Sequence, residues 1–252
     1  MSLHALADEV KISIIMCAKD AENSIYDAIL SLAPMSKDSE ICFVDDGSSD
    51  KTSDIAIEAA AEIGMPIRSE ILRSNVGVPK ARNIAASMAS GSWLMIHDAD
   101  DVSLPSRMED TIVMLESSDV VGGWAMQKLP DGRIDRVMDY PPEKDREVRA
   151  MLFSSWLNPM IDPTTCFSRK MFLALGGYSE EERWRHVQDL EFWHRAARAG
   201  ARFANVQKPL IVYSISPLGV TQTKKQEMIA RHGELLRMHS MQIRPRSLPS
   251  WR

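Results

Sequence analysis

The sequence predicts an α/β protein built on a mostly parallel sheet flanked by helices, and two features of the chain predict it. Short apolar runs of strand character alternate with segments in which apolar residues recur at helical spacing. Gly, Pro or a polar turn separates these segments from one another. Strands that alternate with helices form βαβ units, so the strands run parallel and right-handed crossovers place helices on both faces of the sheet.

The first half of the chain supplies the alternating elements. Pro34 stops the first predicted helix, and Gly64 is the stop signal of the second. The third helix has its apolar residues at positions i, i+3, i+4 and i+7, and it ends at Gly91. The predicted strands are 12–17, 40–44, 67–72 and 93–96, and the predicted helices cover 24–32, 51–63 and the segment through Ala81, Ile84, Ala85 and Met88.

The second half of the chain has a different character. Two strand-like runs, "VVGGWAMQ" and "RIDRVM", flank the turn "LPDGR" and predict a hairpin. The stretch "SSWLNPMIDPTTCFS" is rich in loop-forming residues, and long connections of this kind often make binding surfaces. Helices are predicted over 169–175, just before Gly176 and Gly177, and over 188–199.

Composition narrows the class of protein. The chain has 252 residues, 44% of them hydrophobic and 26% charged, which is ordinary for a globular protein. A net charge of -5 gives no reason to expect a nucleic-acid partner. Cys17, Cys42 and Cys166 lie far apart in the sequence, so neither a disulfide framework nor a zinc site is indicated.

The sequence also predicts where in the cell the protein is found. The N-terminal segment 1–10 contains acidic residues and does not have the apolar core of a signal peptide. No run of about 18 apolar residues occurs anywhere in the chain. We therefore expect a cytoplasmic protein that is at most peripheral at the inner face of the membrane.

Three carboxylates, those of Asp98, Asp100 and Asp101, follow the predicted strand 93–96 directly. Like charges this close repel one another, so they need either a compensating cation or full solvation. Side chains two residues apart in an extended turn point the same way, which places Asp98 and Asp100 together. The segments "AKDAEN" and "DDGSSD" also follow predicted strands, where ligands of open parallel sheets bind. Two interpretations stay open here, a cation site and a solvated acidic turn.

Four motifs then occur in a defined order. They are "VDDGSSDKT", "NVGVPKARNIAASMASGSWLMIHDADD", "GGY" and "QDLEFWHRAARAG". In this order and strand–loop context, the chain resembles a family 2 glycosyltransferase of the GT-A fold, which is Rossmann-like. The resemblance covers about Lys11 to Thr221. A finer resemblance is to the β-1,3-N-acetylglucosaminyltransferase-like proteins.

The resemblance implies a division of the chain and a metal site. Residues 1–115 would form the nucleotide-sugar-binding half, 116–221 the loop-rich acceptor-binding half of the same GT-A domain, and 222–252 a basic C-terminal helix and tail. The family's DxD motif, which maps onto Asp98 and Asp100, implies bound Mn²⁺ or Mg²⁺. Carboxylate oxygens suit these hard cations, which neutralise the charge that develops on a departing diphosphate.

The surroundings of the DxD motif depart from the family pattern in one respect. Ser214 and Ser216 stand where many relatives have a sequence ending in a His that completes the metal shell. The cation would then rely on the two carboxylates, the diphosphate and water, a normal arrangement for Mg²⁺. Asp101 has two possible roles: it could hold the metal-binding side chains in place without contacting the metal, or it could cap a helix near Pro105.

Contacts to the nucleotide-sugar donor are also implied by the resemblance. Asp46 would accept a hydrogen bond from a ring N–H of uracil, although Asp45 and Asp46 could instead cap the helix that follows them. Lys80 could be a solvated helix residue rather than a ligand contact. The full set of implied donor-binding residues is Cys17, Ala18, Lys19, Asp46, Lys80, Arg82 and Asp98.

The resemblance places the catalytic base at Asp189, which would take the proton from the acceptor hydroxyl. Gln188 stands where the family more often has Glu, and removing that neighbouring charge predicts a low pKa for Asp189. The other interpretation is that Asp189 only caps its helix. Leu190 and Trp193 are predicted to be core residues.

Together these features predict an inverting hexosyltransferase-type glycosyltransferase that uses a nucleotide-sugar donor, most simply a UDP-sugar, and a hydroxyl acceptor on a glycan, lipid-linked molecule or protein. Two alternatives stay open, a catalytically inactive nucleotide-sugar-binding protein and a sugar nucleotidyltransferase. The basic C-terminal segment either packs on the body with a solvated face or makes a weak membrane-surface contact.

Overall fold

The computed structural model describes residues 11–217 and 219–240. Within these residues nine strands form one sheet. The strands are β1 (Ile12–Ala18), β2 (Ser39–Asp45), β3 (Ile67–Ile71), β4 (Trp93–Ile96), β5 (Val102–Ser103), β6 (Val120–Lys128), β7 (Ile134–Met138), β8 (Cys166–Ser168) and β9 (Phe203–Ser214). Their order is β3-β2-β1-β4-β8-β6-β9-β5, and β7 pairs with β6 at the side.

The helices fill the connections between strands. They are α1 (Ile25–Leu30), α2 (Thr52–Glu62), α3 (Val78–Met88), α4 (Arg107–Leu115), α5 (Asp145–Ser154), α6 (Arg169–Ala174), α7 (Gln188–Arg198), α8 (Val220–Thr223) and α9 (Lys225–Ser240). Short 3-10 turns cover Ala33–Met35, Asp162–Thr164 and Glu182–Trp184. The predicted strands and helices of the first half are confirmed to within about three residues at their ends.

The sheet joins the two halves of the chain. Strand β1 pairs in parallel with β2 and β4, and β2 pairs in parallel with β3. Strand β8 then runs antiparallel to both β4 and β6, and β6 runs parallel to β9. The predicted hairpin is confirmed as β6 and β7. Because β4 and β8 are hydrogen-bonded neighbours, the sheet continues across the predicted boundary at residue 115.

Apolar side chains lie on both faces of the sheet. In β1, Ile14 and Met16 point into one core and Ile15 into the other, as expected for alternating side chains of a doubly covered strand. Helices α1, α2 and α4 cover the first face, and α3, α6 and α7 cover the second. Leu190 and Trp193 of α7 are buried in the second core, which confirms their predicted role.

The C-terminal helix α9 packs against the second core through Leu235, while Lys224, Lys225 and Arg237 near it are exposed. Across residues 11–217 and 219–240, no helix combines the length and the hydropathy needed to cross a membrane. The predictions for the N-terminal segment 1–10 and for the basic tail, residues 241–252, lie outside the described residues.

Candidate active site

The loops that follow β1 and β2 bind each other directly. The Asp20 backbone N–H donates to Ser48 Oγ at 2.9 Å, and Asp20 Oδ1 accepts from the Ser49 backbone N–H at 2.8 Å. The Ala21 N–H donates to Thr52 Oγ1 at 2.8 Å. Asp20 has a φ of 49°, so this turn uses the left-handed region that Asp tolerates better than most residues. The two loops therefore form one preorganised edge beyond the strands.

Asp45 and Asp46 have different partners. Asp45 accepts hydrogen bonds from the Ser48 backbone N–H and the Ser53 hydroxyl, so it caps the turn leading into α2. Asp46 is 4% exposed. Its carboxylate accepts from Val76 N–H at 2.6 Å, Gly77 N–H at 3.0 Å and Asn75 Nδ2 at 3.0 Å. Asp45 thus fixes the turn before α2 without accepting from a backbone N–H of that helix, whereas Asp46 fixes the loop before α3.

Arg82 on α3 links the two halves of the site. Its side chain is 4% exposed and donates to Asp98 Oδ1 at 2.7 Å and to Asp162 Oδ2. The guanidinium also lies 5.8 Å from the centroid of the Tyr178 ring. Because buried guanidinium groups need anionic partners, the two carboxylates hold Arg82 charged, with its pKa raised above the ordinary value despite burial.

The DxD turn after β4 presents carboxylates of unequal environment. The Asp98 side chain is 32% exposed and binds Arg82, whereas Asp100 is exposed and forms no ion pair with a described residue. Although the residue as a whole is exposed, neighbouring protein atoms displace part of the water around its carboxylate, and this desolvation, then the negative charge of Asp98, raise the pKa of Asp100 to about 6. Asp101 is fully buried and accepts from the Ser214 backbone N–H at 2.9 Å. It therefore anchors the end of β9 and does not cap a helix near Pro105.

The DxD turn offers carboxylate oxygens, the ligands that hard divalent cations prefer. No cluster of three or more His, Cys, Asp or Glu side chains among residues 11–217 and 219–240 is arranged to hold a metal. Asp98, which is partly exposed, and Asp100, which is exposed, nevertheless supply carboxylate oxygens, and an added cation would offset the repulsion between their two negative charges. Mg²⁺ and Mn²⁺ commonly need only one or two carboxylates besides phosphate oxygens and water, so the residues fit such an ion.

Asp189 lies at the second position of α7, after Val187 at the cap position. Its Oδ2 accepts from Asn158 Nδ2 at 2.9 Å. Burial of the carboxylate, and then the negative charge of Asp162, raise its pKa to about 7. The prediction of a low pKa was therefore wrong. Replacing the neighbouring Glu by Gln188 did remove one charge, but folding brings Asp162 close from a distant part of the chain.

Three further residues predicted to bind the donor, Cys17, Ala18 and Lys19, lie at the end of β1 and just after it. Cys17 is half-buried and a neutral thiol, because burial raises its pKa to about 11, and Arg82, Asp98 and Asp46 all lie within its electrostatic reach. The Ala18 carbonyl accepts from Asp46 N–H at 2.8 Å, so it belongs to the same loop network. Lys19 Nζ donates to the Gly47 carbonyl at 3.0 Å.

Lys80 stands apart from this network. It is exposed on the first turn of α3, and no ion pair or hydrogen bond joins its side chain to another described residue. Of the residues predicted to bind the donor, the structure therefore brings together Cys17, Asp46, Arg82 and Asp98, keeps Ala18 and Lys19 in the adjoining loops, and leaves Lys80 in solvent.

Three residues at the centre of the site were not among the predicted site residues. Asp162 shares Arg82 with Asp98, Asn158 binds Asp189, and Tyr178 faces Arg82. Asn83 fixes Tyr178 in place, because its side chain binds both the Tyr178 N–H and the Tyr178 carbonyl at 2.9 Å. The loop-rich stretch containing Asn158 and Asp162 was the available signal, but loop composition alone does not say which polar side chain faces the site.

A family comparison identifies the class of protein. The model of "Glycosyl transferase family 2" matches residues 13–175, more than half of the chain. The chain belongs to glycosyl transferase family 2. The matched region contains the DDGS turn, α3 and the DxD turn, whereas Asp189 lies beyond it.

Relatives agree with this assignment. The "Putative glycosyltransferase EpsE" of Bacillus subtilis (strain 168) is 28% identical over 205 residues, which cover 79% of this chain and 71% of that protein. The "Succinoglycan biosynthesis protein ExoU" of Rhizobium meliloti (strain 1021) is 28% identical over 217 residues, covering 76% of this chain and 58% of that protein. The family match and the name of EpsE together support glycosyl transfer as the general activity of this family 2 chain.

Solved structures show the same fold. The structure of S. aureus TarS 1-349 in complex with UDP has a TM-score of 0.66 and 23% identity and covers 88% of this chain. This family 2 chain spans 65% of that structure, just under two thirds of its length. The mannosyltransferase PcManGT from Pyrobaculum calidifontis, in complex with GDP-Man and Mn²⁺, has a TM-score of 0.67 and 14% identity, covering 96% of this chain and 67% of that one. The predicted GT-A fold is thereby confirmed.

Proposed function

We propose that the protein is an inverting glycosyltransferase of hexosyltransferase type that moves a sugar from a nucleoside diphosphate to an acceptor hydroxyl. One observation carries the proposal. Arg82 connects Asp98, at the donor end of the sheet, to Asp162, whose charge reaches Asp189 in the second half of the chain. A donor-binding edge and a candidate base are thus linked through one buried cation, and in-line displacement requires both groups close together.

The donor side supports recognition of a uridine nucleotide. A carboxylate has about four acceptor sites on its two oxygens. Asp46 uses three of them for Asn75, Val76 and Gly77, with one acceptor bond on Oδ1 and two on Oδ2. One site on Oδ1 is left for the ring N–H of uracil, and the three internal bonds hold the carboxylate in the orientation needed to accept it. TarS, a structural neighbour, is described in complex with UDP-GlcNAc, so this donor is the first to examine.

Asp98 and Asp100 would hold Mn²⁺ or Mg²⁺ together with the donor diphosphate. When bound, such an ion neutralises negative charge on the leaving group. Arg82 is the fixed cation of the site, and its contact with Asp98 sets the position of that carboxylate. Asp98 therefore has two roles in this proposal, one toward Arg82 and one toward the donor.

Asp189 would act as the general base. A base works best when its pKa is near the working pH, because it is then both largely ionised and able to accept a proton. The value of about 7 for Asp189 meets this condition better than the ordinary value of an Asp. In this mechanism the ionised carboxylate takes the acceptor hydroxyl proton while the oxygen attacks the anomeric carbon.

Two finer predictions concern the surroundings of the enzyme. We infer that the acceptor-binding half comprises 116–221 and the donor-binding half 1–115, since Asp162 and Asp189 lie in the former and Asp46 and Asp98 in the latter. A cytoplasmic location and a weak membrane-surface contact by the basic segment 222–252 stay predictions. The exposed Lys224, Lys225 and Arg237 give that segment positive charge for anionic lipid.

A donor panel tests the proposal. Purified protein is mixed with UDP-, GDP- and ADP-hexoses and with Mn²⁺, Mg²⁺ or EDTA, and nucleoside diphosphate release and melting temperature are recorded. UDP-sugars with a divalent ion should give the largest release and the largest melting shift. With an α-linked donor and a glycan acceptor, proton NMR should show a β-linked product. Retention of the α configuration would contradict the inverting mechanism, and equal release in EDTA would contradict the metal assignment.

A further inference from the structure

The amide of Asn158 binds Asp189 in a fixed orientation. Its Oδ1 accepts the Met160 backbone N–H at 3.1 Å, and its Nδ2 donates to Asp189 Oδ2 at 2.9 Å. A backbone N–H is only a donor, so the oxygen of the amide must face Met160. The nitrogen is thereby directed at Asp189, and a flipped amide would lose both hydrogen bonds.

The loop that carries Asn158 is held by the residues that follow it. Pro159 follows directly and restricts Asn158 to extended backbone conformations. The Pro159 carbonyl accepts from Asn205 Nδ2 at 3.1 Å, and Asn205 is fully buried on β9. Met160 is also fully buried in the second core. Asn158 is therefore presented to α7 by a rigid segment, and its contact with Asp189 does not depend on a mobile side chain alone.

The other groups around Asp189 act on its charge in opposite directions. Burial and the charge of Asp162 disfavour its ionised form, whereas the charge of Arg82 and backbone N–H groups at the start of α7 favour it. Among the described residues, Asn158 provides the side-chain hydrogen bond to this carboxylate. The titratable and charged groups whose fields reach Asp189 are Arg82, Tyr140, Asp162 and Tyr178.

We propose that Asn158 is a positioning residue for the catalytic base: its amide N–H holds the Asp189 carboxylate in one orientation and favours its ionised form. The proposal rests on the proposed function of Asp189. An amide donor binds a carboxylate better than a carboxylic acid, so the contact opposes the effects of burial and of Asp162. It also restricts rotation of the carboxylate, which keeps an oxygen directed toward the acceptor.

Two variants separate the donor function of Asn158 from its support of the loop. Asn158→Asp keeps an oxygen for the Met160 N–H but replaces the donor by a like charge. Asn158→Ala removes both interactions. Titration of Asp carboxyl carbons by NMR, with the Asp189 signal identified by its loss in Asp189→Asn, measures the effect without a substrate. We expect the Asp189 pKa to rise by about one unit in Asn158→Ala, the equivalent of one hydrogen bond to a charged group.

In Asn158→Asp the two carboxyls should titrate as a pair, with the upper step above the wild-type Asp189 value. Nucleotide release from a UDP-hexose should fall about fivefold at pH 7 in Asn158→Ala and recover above pH 8, as a rise of about one pKa unit requires. UDP affinity should not change. Ser155→Ala is the matched control, because Ser155 Oγ binds the Leu157 N–H in the same loop but does not contact Asp189.

The possible results are distinct. An unchanged Asp189 titration in both Asn158 variants overturns the inference, as does an equal shift in Ser155→Ala, which would make the effect one of loop position. If Asp189→Asn retains the wild-type rate, the proposed base is wrong. If Asp189→Asn loses the rate and the Asn158 variants leave the pH profile unmoved, the proposed function stands and the role of Asn158 does not.

Discussion

The carboxylates on the two sides of the site have contrasting surroundings. The donor edge comprises the loops after β1, β2 and β4, and the acceptor edge comprises the loop with Asn158 and Asp162 together with the start of α7. On the donor edge, Asp45 and Asp46 each accept hydrogen bonds from backbone N–H groups within nearby turns. On the acceptor edge, Asp189 has one side-chain donor, Asn158, and the like charge of Asp162 close to it. Backbone dipoles therefore surround the carboxylates of the donor edge, whereas burial and repulsion by a like charge act on Asp189.

This contrast distinguishes carboxylates that fix loops from a carboxylate that can transfer a proton. A carboxylate that accepts several hydrogen bonds from loop groups fixes those loops and stays in one place, because each lost hydrogen bond would leave an N–H group without its acceptor. A carboxylate that is buried beside another negative charge gives up its proton only near neutral pH, which suits proton transfer. Arg82 lies between the two environments and compensates charge on both sides through Asp98 and Asp162.

Removing the acid of the acceptor edge should have the largest effect. Asp189→Asn should reduce transfer about a hundredfold to ten-thousandfold, because the acceptor hydroxyl loses its base, while UDP affinity stays nearly unchanged. In the wild type, the rate should rise as the pH increases through about 7, where Asp189 loses its proton. Steady-state kinetics and UDP calorimetry of the two proteins measure these effects.

The stability of the same variant separates a base from a helix cap. The folded-state pKa of Asp189 is raised, so the native protein holds a proton more tightly than the unfolded chain and loses stability as the pH rises from about 4 to 7. Asp189→Asn should therefore melt at a higher temperature than wild type at pH 8, with the difference vanishing near pH 4. A cap would instead lose about 1 kcal/mol in the variant, and lower melting with near wild-type transfer would identify one.

Removing Arg82, which connects the two edges, should have the second largest effect. Arg82→Met leaves Asp98 and Asp162 without their cation, and breaking a buried pair in this way costs about 3–5 kcal/mol of the free energy of unfolding. The deficit should be largest at pH 8 and shrink in acid, where Asp162, whose pKa is raised by burial, takes up a proton. Urea unfolding at several pH values measures it.

Lys80→Met is the matched control for that experiment, because it removes the same charge from an exposed position on the same helix. Its unfolding free energy should stay within about 0.5 kcal/mol of wild type. Equal losses in the two variants would show that overall charge, rather than the link between edges, determines the result.

Disrupting the donor edge should have a smaller effect on stability and a selective effect on binding. Asp46→Ala leaves the Val76 and Gly77 N–H groups without their acceptor, which should cost about 1–3 kcal/mol. If Asp46 also binds uracil, the preference for UDP over GDP in calorimetry should disappear. A variant that is less stable yet keeps the full preference would make Asp46 a scaffold residue alone.

The smallest expected effect concerns the exposed acid of the DxD turn. Asp100→Ala should not unfold the protein, since Asp100 is exposed and unpaired among the described residues. With Mn²⁺ present, it should weaken UDP binding by about tenfold, or about 1.4 kcal/mol. Melting curves with UDP in Mn²⁺ and in EDTA should differ for wild type and coincide for the variant. A metal effect of equal size in both proteins would exclude Asp100 as a ligand.

The sequence by itself determined the α/β class, the first four strands, the hairpin and the order of the motifs. Apolar spacing and turn residues act within a few positions of one another, so these features can be predicted from local patterns. The resemblance to family 2 glycosyltransferases, and not local pattern alone, singled out Asp46, Arg82, Asp98 and Asp189. It could not say which of them would bind loops, which would pair and which would titrate.

Only the tertiary structure decided which charged groups of the site pair with one another and how their pKa values shift. Arg82 meets Asp162 across 80 positions of sequence, and Asp101 meets Ser214 across 113. The pKa of Asp189 was predicted from its neighbour Gln188 and came out on the wrong side, because Asp162 and burial act through space. Coulomb interactions and desolvation depend on distance and on the exclusion of water, and both are set when the two halves pack, not by spacing along the chain.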